Sequence, residues 1–111
     1  MLHKHNYIRS KALTDAANGQ SCVRCGAQDG TVVAAHYCGP LQQRLGKGRG
    51  IKPDDIYCAD LCHLCHSDFD RYNKDEGIGR QDAAIDFMLY VLLTIKRRVH
   101  DGTITVKGYK P

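Results

Sequence analysis

Two CxxC pairs, two short β-branched runs and two helix-spaced segments in a chain of 111 residues predict a small α+β domain stapled by a metal ion. One domain over 1–111 suits that length, with its core at 20–75 and a C-terminal helix at 81–100. With 25% charged residues and no low-complexity tract, the composition excludes general disorder. The formal net charge of +4 suits a polyanionic partner without requiring one.

The opening residues, "MLHKHNYIRSK", are polar and carry no secretory signal, and the longest apolar run, Phe87 to Ile95, is too short to span a bilayer. The expectation is a soluble cytoplasmic protein with no membrane contact. In a reducing cytoplasm, six cysteines read as metal ligands rather than three disulfides.

Taken in order, Ile8, Ala12, Leu13 and Ala16 have helical spacing, so a helix is expected over Tyr7 to Asn18, stopped by Asn18-Gly19. "CVRCG", Cys22 to Gly26, has the form of a zinc knuckle whose Gly turns the backbone under the sulfurs. "TVVAAHY" reads as a strand ending on His36. From Gly39 to Pro53 the chain is a long loop rich in Gly and basic residues, of the kind that usually contacts a substrate. "DIYCADL" predicts the second strand, "CHLC" the second knuckle, and a helix should begin near Cys65.

The helix over Gln81 to His100 carries an apolar stripe of Ile85, Met88, Leu89, Leu92, Ile95 and Val99, which the pattern assigns to the core. Phe87, Tyr90, Val91 and Leu93 widen it, so a homodimer through this helix is the second use of its surface. Lys96, Arg97 and Arg98 complement the helix dipole at its C-terminal end. "TITVKGY" reads as a short terminal strand or an extended tail.

Zinc takes four tetrahedral ligands, and two CxxC knuckles supply four thiolates: Cys22, Cys25, Cys62 and Cys65. A mixed set recruiting Cys58, Cys38 or a His is the alternative. Otherwise Cys38 and Cys58 behave as small buried hydrophobes. A closed four-thiolate zinc is scaffold, so chemistry must come from elsewhere.

His66 and Asp70 stand four residues apart on the expected helix and share a face, so they can hold one cation. Cys65 lies about 100° around the helix from His66, which directs thiolate and imidazole to different centres. One imidazole, one carboxylate and open positions suit Mg²⁺ or Mn²⁺, with Zn²⁺, Ni²⁺ or Co²⁺ also able to bind. Arg44, Lys47, Arg49 and Lys52 alternate with glycines in the basic loop and are candidates to meet DNA phosphates. By residue type alone, His66 and Asp70 also read as a solvated pair, and His36 as a satisfied core histidine.

The order CxxCG, strand ending in His, loop, and CxxCH opening a helix resembles the HNH or ββα-metal finger endonucleases. Within that group, "AAHY", "GKGRGIKPDD" and "LCHLCHSDFDR" are most similar to the small nucleases of lambdoid phages and prophages, the YbcO type. The resemblance covers about Cys22 to Arg71. It implies an endonuclease hydrolysing DNA in phage or prophage DNA metabolism inside a bacterial host, with His36 as general base. His66 and Asp70 would hold a catalytic divalent cation separate from the structural zinc. The sequence departs from the family at Ala35, where many members carry Asp. It also has no Asn between His36 and Cys62, so Asp55, with Asp54 second, is the substitute that would support the loop. An imidazole base implies activity that falls below about pH 6. The competing expectations are a zinc-stabilised DNA-binding module without catalysis and a protein-interaction zinc finger acting through the C-terminal helix.

Overall fold

In the computed structural model, which describes residues 6–40, 42–48, 50–74 and 78–111, two short strands form an antiparallel pair. They are β1 (Val33–His36) and β2 (Cys58–Leu61), with Val33 opposite Leu61 and His36 opposite Cys58. Every residue of β2 is buried, whereas β1 buries only Ala35. The difference follows from helix packing: α3 (Ile78–His100) lies across β2, while α2 (His63–Lys74) leaves from its end. α2 begins two residues earlier than the CHLC motif suggested.

The N-terminal helix is shorter than its periodicity predicted. Ser10 caps it by accepting the Leu13 N–H through Oγ at 3.3 Å, so α1 spans only Lys11–Asp15. Residues before the cap are recruited elsewhere: Ile8 donates its N–H to Asp54 and accepts one from Asp55, which pins this segment along the end of the basic loop. That loop contains a 3-10 turn at Gln42–Leu45 and an isolated bridge between Gly48 and Ile51.

The core is aromatic. Phe87 meets Tyr37 edge-on at 5.3 Å and Phe69 at 4.8 Å, tying α3 to β1's exit and to α2. Burying each of these rings contributes about 1.5–3 kcal/mol. The stripe expected in the core is therefore not the one used. α3 buries Ala83, Ala84, Phe87, Val91 and Thr94, whereas Ile85, Met88, Leu89 and Leu92 face outward. The rings of Tyr37 and Phe69 select the face that carries Phe87, and small alanines let the helix approach.

The same rotation carries Arg98 inward. Arg98 and Arg97 both bind the buried carboxylate of Asp60 on β2, and Arg97 also donates to the Ser21 carbonyl at 2.6 Å. The dipole-complementing role predicted for these arginines is thus secondary to an ion-pair cluster. The C-terminal tail is not a strand: it turns back, with Tyr109 edge-on to His100.

Candidate metal centre and the adjoining His36 pocket

The first knuckle is shaped by backbone hydrogen bonds. Cys22 donates to the Ala27 carbonyl at 2.7 Å, and Gly26 returns a bond to the Cys22 carbonyl at 2.9 Å with φ at 82°, a left-handed angle that glycine adopts without strain. The Val23 N–H binds the Asp60 carbonyl at 2.8 Å, seating the knuckle against β2. The second knuckle straddles the start of α2, where Cys62 accepts the first helical bond, from the His66 N–H, at 2.9 Å.

These elements bring Cys22, Cys25, Cys62 and Cys65 together, with one ligand atom from each lying within 4.8 Å of all the others. A tetrahedral zinc with Zn–S of about 2.3 Å places its sulfurs about 3.8 Å apart. Cys25 and Cys62 Sγ stand 3.7 Å apart, so the cluster fits a metal ion such as zinc. Three of the four cysteines are buried, and Cys25 is exposed. Burial works against ionising Cys22, but the backbone N–H groups of Cys62, Cys25 and Arg24 outweigh it and draw the thiol down to about 6. Cys65 is pushed up to about 12, first by burial, with Arg24 opposing and the neighbouring thiols reinforcing. A bound dication would hold all four as thiolates.

Cys58 and Cys38 stand outside the cluster. Burial pushes Cys58 up to about 12 and raises Cys38 as well, so both remain neutral thiols. Asp68 accepts from Arg24 at 2.9 Å and pairs with Arg71. The Arg24 guanidinium also lies over the Phe69 ring, so this pair ties the first knuckle to α2.

The second constellation lies along β1 and α2. His36, His66, Asp70, Lys47 and Lys52 line one pocket of about 280 Å³, with Cys38 and Pro53 in its wall. His36 also opens onto a larger cleft of about 740 Å³ bounded by Arg9, Thr14, Asn18 and Ile51. Its Nε2 lies 2.8 Å from Asp55 Oδ1, and Asp55 Oδ2 accepts the Ser10 N–H at 2.7 Å. Burial alone would raise the Asp55 carboxyl, yet hydrogen bonds from His36 and Ser10 hold it below the usual range. Asp55 is therefore an anion at neutral pH, and His36 Nε2 carries the hydrogen between them.

Of the basic-loop candidates, Lys47 and Lys52 reach this pocket, Arg44 is exposed on the 3-10 turn, and Arg49 lies outside the described residues. Among the described residues, His36, His66 and Asp70 do not converge into a compact three-ligand group as the cysteines do. Arg9 carries no sequence signal of its role. Its guanidinium binds the Pro53 and Lys52 carbonyls at 2.5 and 2.7 Å and approaches Asp55, bracing the segment that holds His36. No local spacing connects residues more than 40 positions apart.

Compared with protein-family models, curated proteins and solved structures, the chain matches none of them. No helix among the described residues is long and apolar enough to cross a membrane.

Proposed function

We propose that this protein is a metal-dependent endonuclease that hydrolyses DNA phosphodiester bonds, with the four-cysteine cluster as its structural zinc site. The observation that carries the reading is the shared pocket: one imidazole braced by a carboxylate, a His/Asp pair on one helix face, and two lysines open onto the same space. The order of two antiparallel strands followed by a helix supports it, as does the resemblance to HNH endonucleases.

Asp55 keeps the Nε2 hydrogen of His36 engaged, which leaves Nδ1 as the basic nitrogen able to take a proton from the attacking water. Lys47 and Lys52 supply positive charge to phosphate oxygens but read no sequence, so cleavage is weakly specific. His66 and Asp70 would hold Mg²⁺ or Mn²⁺, which when bound supplies Lewis-acid stabilisation of the phosphate and the leaving alkoxide. With Ala35 in place of an acid, β1 offers no carboxylate to that cation.

That His36, His66 and Asp70 form no compact ligand group among the described residues favours a second reading, a DNA-binding module without catalysis. Incubation of zinc-loaded protein with supercoiled plasmid in Mg²⁺ or Mn²⁺, beside EDTA and His36→Ala controls, separates the two. Nicking that needs the added cation and His36 supports the nuclease. Retarded migration of plasmid without nicking would leave the binding module.

A further inference from the structure

α3 has two apolar faces, and only one is used inside the chain. The outer face repeats apolar residues at alternating steps of three and four, through Ile85, Met88, Leu92, Ile95 and Val99, with Leu89 beside them; Ile95 and Val99 are half-buried at its border, where Ile95 also touches the core. Ile85 and Leu92 are 67% and 64% exposed, far more than a stripe merely flanking a core would be. The stripe is broadened on both sides: Leu45 and Tyr57 wall a groove of about 240 Å³ beside Met88, and Val106 and Tyr109 wall one of about 540 Å³ beside Val99. Alternating three-and-four spacing is the seam pattern of packed helices.

Charge on the rim of this stripe is segregated along the helix. Asp82 and Asp86 stand at its N-terminal half, and Lys96 and His100 at its C-terminal half, all exposed. Asp82, Leu89 and Lys96 are seven residues apart and so share one edge of the stripe. An identical helix laid antiparallel sets Asp82 against the partner's Lys96 at both ends, with Leu89 near the two-fold axis. The same register sets Ile85 against the partner's Ile95 and Met88 against its Leu92. A parallel copy sets Asp82 against Asp82 and Lys96 against Lys96, which repel. A surface that complements itself only when reversed is the requirement of a two-fold interface.

We infer that the occupant of this face is a second copy of the chain, packed through α3 as an antiparallel two-fold dimer with Leu89 at its centre. The dimer is independent of the nuclease reading, and its test needs no DNA. Sedimentation of the zinc-loaded full chain should show a dimer at micromolar concentration. Leu92→Glu, which buries a charge twice in the interface, should weaken association by at least about 100-fold while zinc content and helical circular dichroism stay unchanged. Asp82→Lys and Lys96→Asp should each weaken it by about five-fold, and the two together in one chain should restore it. A monomer at about 100 µM overturns the proposal, as does a dimer indifferent to Leu92→Glu. Charge exchanges that fail to restore each other overturn the antiparallel register.

Discussion

The cysteine cluster and the His36 pocket sit against the same pair of strands and differ in how closely the protein alone draws their side chains together. The four cysteines are drawn together by backbone turns and by the Val23 to Asp60 bond, and their ligand atoms all stand within 4.8 Å of one another. His36, His66 and Asp70 surround a pocket of about 280 Å³ and leave room for solvent and phosphate. A structural site closes on its ion, whereas a hydrolytic site must keep coordination positions for the reacting groups. The geometry thus divides the chain into a cysteine cluster that could close on a metal ion and an open pocket, which under the proposed function a cation and substrate would complete.

That division predicts unequal responses to damage. Cys62→Ala, or removal of zinc by a strong chelator, should abolish cooperative unfolding, because such sites contribute about 10–16 kcal/mol of apparent binding energy to folding. Thermal melts followed by circular dichroism check this, and Asp70→Ala should melt near wild type. If both variants unfolded alike, the two clusters would not be separable.

The scaffold side also includes the buried ion-pair cluster. Asp60→Ala should cost about 3–5 kcal/mol in urea unfolding, since it strands Arg98 inside the molecule and removes the carboxylate partner of Arg97. On the pocket side, His36→Ala should lower plasmid nicking by about 10²–10⁴-fold with zinc content unchanged. A loss of zinc in that variant would join the regions that the geometry separates.

Acid should act through Asp55. Its folded carboxyl is held below the ordinary value of 3.8, so its contribution is full above that value and is lost as pH falls through the lower folded one. Protection of the Ser10 amide from hydrogen exchange should therefore decline as pH falls below about 4, and Asp55→Asn should flatten that decline. The smallest effect belongs to the lysines. Lys47→Ala should reduce the slope of log affinity against log salt by about one unit in DNA binding, leaving both melting and zinc content untouched.

Local spacing alone makes the cysteine cluster legible. Each CxxC carries its own bite, and the pairing of β1 with β2 needs only to bring two preformed knuckles together. His66 and Asp70 are legible for a similar reason, because four residues on any helix share a face whether α2 begins at His63 or Cys65. Asp60 is different. A single acid in the strand "CADL" hints at a buried partner, but Arg97 and Arg98 lie 37 and 38 residues away and can be chosen only once α3 crosses β2.

The orientation of α3 shows the same limit most plainly. Its sequence carries enough apolar residues for two faces, and periodicity favours the stripe of Ile85, Leu89 and Leu92. Packing selects the face of Phe87 and Val91 because Tyr37 and Phe69 offer rings for Phe87 to meet. Residue identities and their near-neighbour spacing thus determine the knuckles, the α+β content and the His/Asp pair, since these depend on bond geometry within a few residues. Which face of α3 is inside, which arginines meet Asp60, and which acid braces His36 depend on surfaces brought together from distant parts of the chain, and only the folded molecule decides among them.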